Sequence, residues 1–448
     1  MLRTSRSRWF TVPLKTPSLL VITAIAGLAL SACSGAHGSS VAAGTLDSGF
    51  GAGGKVTTDL GSPADRANAV VVQADGKIVA AGSTQDPAQG DNFAVVRYTP
   101  GGKLDSGFGD GGKSVTDFGG KSDVVAAVAL QPDGKIVAVG TSHGTTTGDN
   151  IALARYASDG RLDSGFGTGG RVSSDLGTAA DHGNAVAVQS DGKILVAGST
   201  KDPVQGDNFV VLRYAPDGKL DAGFGDGGKV STDFGGRSDI AKSIAVESDG
   251  KIVVAGTSSG TATGDNIALA RYTSDGKPES GFGVNGQVSS DLGTAADHGN
   301  AVAVQSDGKI VVVGSTKDPV QGDNFLVARY APDGKLDSGF GAGGRTATDF
   351  GGKADVAAAV ALAQDGKVVV VGTSSGTSTG DNIALARYTS DGKLDSGFGT
   401  GGQVSTDLGT AADHGNAVAL QSNGDIVVAG TTKDPAQGDN FVVLRYVV

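Results

Sequence analysis

The chain repeats itself every 58 residues, and this period constrains its fold more than any other feature of the sequence. The dipeptide Arg-Tyr first occurs at Arg97 and returns at each multiple of 58, as does Gly-Phe-Gly from Gly49 onward. Seven units follow one another without insertion or deletion, at 46–103, 104–161, 162–219, 220–277, 278–335, 336–393 and 394–448. Such an array indicates that each unit is one supersecondary element that buries its apolar surface against its neighbours.

Each unit predicts four short β-strands, which in the third unit are Arg171–Asp175, Asn184–Gln189, Lys193–Ser199 and Asn208–Tyr214. The second and third strands flank Ser-Asp-Gly-Lys, and Asp-Gly between β-prone runs is a strong hairpin signal. The last three strands are almost entirely apolar, so both faces of the sheet should be covered. The pattern predicts an all-β chain, a seven-bladed β-propeller of four-stranded antiparallel blades; the alternative is a β-solenoid, whose coils are usually shorter than 58 residues.

The two ends of the chain are complementary. The first unit opens with a strand at Lys55–Asp59, and the last unit ends on the strand Phe441–Tyr446. We expect these two strands to pair in one blade, because such pairing closes the ring and removes free sheet edges.

The unit also resembles a known repeat. Three segments of the third unit, LDSGFGTGGRVSSDLG, QSDGKILVAGS and DNFVVLRYAPDGK, are similar to the delta-60 repeat family, a bacterial β-propeller repeat of unknown function. The resemblance covers all seven units. It implies the propeller fold and brings no assigned catalytic residues.

Two kinds of unit alternate along the chain, so the full duplication period is 116 residues. Phe and Leu or Ile exchange between two positions that neighbouring units should bring together. Phe209 should pack near Phe234, and Ile151 near Leu176, while the closing junction should carry a mixed pair.

The first 32 residues have the form of an export signal. A basic start precedes the short apolar run Leu19–Leu30, and the sequence up to Cys33, the sole cysteine, resembles a bacterial lipoprotein signal. This predicts lipid attachment at Cys33, a flexible tether at 33–45, and a place in the bacterial cell envelope. The alternative is an ordinary secretory signal with an incidental Cys. In similar lipoproteins, a residue such as Ser34 after the Cys favours the outer membrane.

The charge of the chain excludes one class of partner. The net charge is −11, and loss of the four basic residues of the signal would make it −15. Nucleic-acid binding needs a basic surface, so we expect none, and we expect membrane contact through the lipid alone.

Two recurrent motifs carry candidate ligands. Gly-Asp-Asn precedes the fourth strand of every unit, and its oxygens suit Ca²⁺ or simply cap a turn. Ala-Asp-His-Gly-Asn precedes the second strand in units three, five and seven, and its three His residues should stand too far apart to share a zinc ion unless the channel narrows. The candidate binding residues are Asp181, His182, Asn184, Asp207, Asn208, Asp297, His298, Asn300, Asp413, His414 and Asn416.

The near-equivalence of the units favours a binding or scaffold module over an enzyme. A propeller enzyme needs one special blade, and no nucleophile set stands out, so we assign no catalytic residue and expect no cofactor besides the Ca²⁺ that the Gly-Asp-Asn motif admits. We expect a monomer that binds a protein or carbohydrate. The alternative is a lyase or hydrolase that uses Asp and His at the channel mouth.

Overall fold

The computed structural model describes residues 41–145, 148–177, 180–204, 206–261, 264–293, 296–377, 380–409 and 412–448. The predicted signal, Cys33 and most of the tether lie outside these residues. The described residues are all-β, and none of them belongs to a helix of the length and apolarity that would cross a membrane.

The described residues contain twenty-eight strands. In chain order they are β1 (Lys55–Thr58), β2 (Asp65–Val72), β3 (Ile78–Asp86), β4 (Gly90–Tyr98), β5 (Lys113–Thr116), β6 (Ser122–Leu130), β7 (Ile136–Thr145), β8 (Gly148–Tyr156), β9 (Arg171–Ser174), β10 (Asp181–Val188), β11 (Ile194–Asp202), β12 (Gly206–Tyr214), β13 (Lys229–Thr232), β14 (Ser238–Val246), β15 (Ile252–Thr261), β16 (Gly264–Tyr272), β17 (Gln287–Ser290), β18 (Asp297–Val304), β19 (Ile310–Asp318), β20 (Gly322–Tyr330), β21 (Arg345–Thr348), β22 (Ala354–Leu362), β23 (Val368–Thr377), β24 (Gly380–Tyr388), β25 (Gln403–Thr406), β26 (Asp413–Leu420), β27 (Ile426–Asp434) and β28 (Gly438–Tyr446).

The strands form four-stranded antiparallel sheets that repeat as blades. In one blade β10, β11 and β12 follow each other, and the outer strand β13 comes from the next unit of the sequence. One parallel residue pair, Asp207 with Ser238, joins this blade to the next. The strands β26, β27 and β28 pair in the same way, and there the outer strand is β1, with Lys55 opposite Leu444 and Thr58 opposite Phe441.

The hairpin between β10 and β11 follows its sequence signal. Asp191 accepts a hydrogen bond from the Lys193 amide at 3.1 Å, and Gly192 has a φ of 84°, which suits glycine. A second glycine is required where β10 and β11 approach each other closely. A Cβ at Gly198 would lie 1.8 Å from the His182 carbonyl oxygen, so only glycine lets β10 and β11 come this near.

The apolar core lies between adjacent blades, and its side chains alternate in size as predicted. The rings of Phe209 and Phe234 lie 4.9 Å apart between centroids, whereas Ile151 shares its cluster with Leu176. Where β28 meets β1, buried Phe441 packs in one cluster with Leu60, the mixed pair.

The Arg-Tyr dipeptide joins each blade to the Gly-Phe loop of the next unit. Arg213 donates from Nε to Asp221 at 2.8 Å and stacks over the Phe224 ring at 4.6 Å. The next residue, Tyr214, hydrogen-bonds Ser174 at 2.8 Å. All seven copies of the Arg stack on a Phe in this way, so the dipeptide is a structural contact.

Candidate functional site

A β-bulge recurs near the start of the innermost strand of every blade. The pairing of β10 with β11 shifts between Gly183 and Ala185, which leaves Asn184 as the extra residue. Bulges turn a side chain away from the regular alternation and are frequent beside functional sites. The seven bulged residues line one cavity of about 350 Å³. They are Asn68, Ala126, Asn184, Lys242, Asn300, Ala358 and Asn416.

The structure therefore brings the predicted residues Asn184, Asn300 and Asn416 around one cavity, together with Asn68. Each amide nitrogen donates to a backbone carbonyl in the neighbouring blade, for example Asn184 to Ala241 at 2.8 Å. These bonds fix the amide planes. The amide oxygens make no hydrogen bond within the described part of the chain, so they remain acceptors for a ligand.

Lys242 is the charged member of this ring, and the sequence analysis missed it. Its side chain is exposed to the lumen and makes no ion pair or hydrogen bond within the described residues. Although the side chain still reaches solvent, desolvation by the surrounding walls lowers the pKa of Lys242, and no carboxylate counteracts this effect. The signal was visible in the sequence, because Lys242 occupies a position that holds only Asn or Ala in the other units.

The predicted binding carboxylates Asp181, Asp297 and Asp413 are instead internal, which corrects their assignment to a ligand surface. Each is fully buried. Asp181 accepts hydrogen bonds from the Leu176 amide at 2.7 Å and from the Thr200 hydroxyl at 2.6 Å. Asp297 and Asp413 have the same two kinds of partner. These carboxylates hold the loop before the innermost strand and are not accessible to a ligand.

The Gly-Asp-Asn residues Asp207 and Asn208 also lie at a contact between blades. Asp207 accepts a hydrogen bond from the Ser238 hydroxyl at 2.8 Å, and Asn208 is buried. The bond to Ser238 fits the structural alternative for this motif, and among the described residues Asp207 belongs to no group of three potential metal ligands.

The three predicted histidines lie in separate places. His182, His298 and His414 each face the Gly-Asp-Asn aspartate of the preceding unit, at 3.8, 3.9 and 4.0 Å respectively. The structure thus does not bring them together. It sets each His beside one carboxylate of the preceding unit.

His182 has a second neighbour that the sequence analysis missed. The Nδ1 atom of His143 lies 2.9 Å from Asp149, and the rings of His143 and His182 are 5.6 Å apart between centroids. Burial, followed by the proximity of His143, lowers the pKa of His182. Hydrogen bonds from Gly144 and His143 lower the pKa of Asp149 although burial opposes them. The signal was the single histidine where Ser259 and Ser375 stand in the matching units.

The contact between the first and last units has a pocket of its own, with a volume of about 230 Å³. Arg66 stands there in place of a histidine and binds Asp439 at 3.0 Å. His414 and Asn416 line the same pocket.

Repeated four-stranded blades around a lined cavity define a β-propeller built from tandem repeats. The family model described as "Domain of unknown function (DUF5122) beta-propeller" matches six segments of this chain, at 73–108, 131–166, 189–224, 247–282, 305–340 and 363–398. Each match covers a hairpin and runs to the next Gly-Phe. No curated protein sequence matches the chain.

Solved structures with similar folds include a streptogramin B lyase, which is 14% identical over 87% of this chain and 97% of its own, with a TM-score of 0.51. A catalytically inactive virginiamycin B lyase from Staphylococcus aureus with quinupristin is 12% identical over 87% and 98%, with a TM-score of 0.47. A PL25 ulvan lyase is 11% identical over 87% and 95%, with a TM-score of 0.46. At these identities the likeness concerns the fold alone.

Proposed function

We propose that this chain is a seven-bladed, closed β-propeller of the delta-60 type, held in the bacterial envelope by a lipid and acting there as a monomeric binding module. Closure is supported by the pairing of β1 with β28 and by Arg445, which contacts Asp47 and Phe50 as the other arginines contact their loops. That residues of all seven units line one cavity supports a closed ring as well. Deletion of residues 46–61 should expose the edge of β28 and produce oligomers in size-exclusion chromatography; a monomeric, equally stable variant would contradict closure.

Anchoring is the second part of the proposal. It rests on the sequence from Leu30 to Cys33, and the outer membrane is the proposed destination because Ser34 follows. Cys33→Ser should release a soluble form, since membrane residence depends on buried acyl CH₂ groups, worth about 0.8 kcal/mol each. An intact mass showing that Cys33 is unmodified in the wild type would contradict lipid attachment.

The observation that carries the binding function is that Lys242 is the one charged side chain among the seven bulged residues. Lys242 faces the same cavity as four asparagines whose amide oxygens lack protein partners in the described residues. An ammonium recognises a carboxylate, and amide oxygens accept from hydroxyls. The volume of about 350 Å³ lies at the lower end of usual ligand pockets. Together these groups fit a small polyhydroxylated carboxylate such as a uronic acid.

The test uses sodium glucuronate and, as its uncharged counterpart, glucose, each titrated into the full chain by calorimetry. Glucuronate should bind better than glucose. Lys242→Ala, which copies the residue at Ala126 and Ala358, should weaken glucuronate binding at least about 10-fold, because a charge-assisted hydrogen bond is worth about 1.5–3 kcal/mol. Lys251→Ala is the control, since Lys251 sits at a hairpin tip beside Asp249. Equal binding of both sugars, or no effect of Lys242→Ala, would refute the proposal.

The rival function is an enzyme, a lyase or hydrolase that uses Asp and His at the channel mouth. One observation favours it: among the described residues, one junction brings His143, Asp149 and His182 together, and the matching junctions do not have the first histidine. Proton NMR of an oligoglucuronate after prolonged incubation separates the two functions. Unchanged resonances support a binding module, and new product resonances that disappear with His182→Ala support the enzyme.

A further inference from the structure

Three side chains from two neighbouring units converge where β7 and β8 meet β10. His143 lies near the end of β7, Asp149 at the start of β8, and His182 at the start of β10. A backbone bridge between Asp149 and Ala180 draws the chain before β10 against β8. All three side chains are half-buried, and one ligand atom from each lies within 4.8 Å of the other two.

The orientation of the carboxylate suits a shared ligand. One oxygen of Asp149 accepts a hydrogen bond from the Gly144 amide at 3.0 Å, which fixes the plane of the group. The other oxygen faces both rings, 2.9 Å from Nδ1 of His143 and 3.8 Å from Nε2 of His182. Zinc ligands at about 2.0–2.1 Å in tetrahedral geometry stand roughly 3.3–3.4 Å apart, so the two observed separations bracket the required value.

The matching junctions show what is special here. They repeat the contact between Asp149 and His182. Asp265 lies 3.9 Å from His298, and Asp381 lies 4.0 Å from His414. The position of His143 is occupied by serine in both cases, at Ser259 and Ser375. Within the described residues only the His143 junction assembles three potential metal ligands.

We propose that His143 Nδ1, Asp149 Oδ2 and His182 Nε2 bind one divalent transition-metal ion, with Zn²⁺ as the natural occupant. Two imidazoles and one carboxylate suit zinc, cobalt, nickel or copper, whereas calcium and magnesium prefer oxygen ligands. Three protein ligands leave the fourth position to water or to an anionic oxygen of a ligand. None of the three residues lines the cavity that contains Lys242, so the inference does not depend on sugar binding.

Isothermal titration calorimetry with ZnCl₂ and the full chain tests the proposal. The wild type should bind one ion per chain, and Co²⁺ in its place should give the visible absorption of a four-coordinate complex. His143→Ser reproduces the serine of the matching junctions. Loss of an outer-shell partner already weakens metal binding about 10- to 100-fold, so loss of this ligand should weaken it at least about 100-fold.

Two further variants separate a metal site from a general effect on folding. Ser259→His completes the set with Asp265 and His298 and should raise the stoichiometry to two ions per chain. His414→Ala removes a histidine from a junction without a third ligand and should leave Zn²⁺ binding unchanged. The proposal fails if the wild type binds no Zn²⁺ at micromolar concentrations, if His143→Ser binds like the wild type, or if Ser259→His still binds one ion.

Discussion

The hydrogen bonds of the repeated arginine should contribute measurably to stability, and the chain contains its own control for this contribution. Arg213 is 7% exposed, donates from Nε to Asp221 at 2.8 Å and also donates to the carbonyl of Ser274. Lysine keeps the charge but cannot hold both partners while stacking on Phe224, because it lacks the planar fork. A hydrogen bond to a charged group is worth about 1.5–3 kcal/mol, so Arg213→Lys should lower the free energy of unfolding by about that amount.

Arg271 is the matched control. Its side chain is 8% exposed and stacks on Phe282 at 4.6 Å, like its counterparts. Its Nε has no hydrogen-bond partner among the described residues, because Glu279 replaces the usual aspartate, and the nearest carboxylate contact is Glu247 at 3.6 Å. Arg271→Lys therefore breaks no Nε hydrogen bond. It should lower the free energy of unfolding by much less than Arg213→Lys does.

Thermal unfolding at one scan rate measures the difference. With an unfolding entropy of about 2.1 cal/mol/K per residue, a propeller of about 400 residues loses roughly 1.2 °C in melting temperature per kcal/mol. Arg213→Lys should therefore melt about 2–4 °C below the wild type, and Arg271→Lys within about 1 °C of it. Equal shifts in the two variants would show that the hydrogen bonds of Arg213 to Asp221 and Ser274 contribute nothing and would refute the reasoning.

Three further outcomes follow from the same structure. Tyr98→Phe should lower the free energy of unfolding by about 1–3 kcal/mol in thermal melts, because the buried hydroxyl of Thr58 loses its partner at 2.8 Å. Burial raises the pKa of Asp239 above 3.8, so ionisation of this carboxyl opposes folding. The stability of the wild type relative to Asp239→Asn should therefore fall as the pH rises from about 4 through the raised pKa. A difference in stability that does not depend on pH would contradict this. Gly198→Ala would place a Cβ 1.8 Å from the His182 carbonyl oxygen and should reduce soluble yield sharply; wild-type yield and melting temperature would disprove the assigned close approach.

The blade could be read from the sequence because its determinants are local. The turn at Asp191 and Gly192, the apolar runs beside it and the fixed period each specify the same hairpin. The packing of Phe209 near Phe234 could also be inferred, since strand order alone decides which positions of neighbouring units meet. The strand bounds differ most at β10, which begins at Asp181 instead of Asn184, and at β11, which ends at Asp202 instead of Ser199.

The candidate site was harder to predict, because its residues depend on tertiary geometry. A one-residue bulge turns Lys242 into the lumen, and no local pattern marks that shift. The internal role of Asp181 involves a hydrogen bond from Thr200, which lies on the adjacent strand. His143 and Lys242 were nevertheless visible as departures from the repeat. In a chain of near-identical units, a position at which one unit departs from the others indicates a functional residue better than a recurring motif does.

The alternation of packed pairs makes the chain sensitive to parity. A slip of one unit during folding would set Phe against Leu or Ile at every junction, whereas a slip of two units would meet an equivalent surface each time. The contact of Phe441 with Leu60 is the mixed pair that an odd number of alternating units must contain where β28 meets β1. Misfolded species in which units pair out of order should therefore be offset by 116 residues. The mixed pair is the one contact that distinguishes the correct pairing of the chain ends from such an offset pairing.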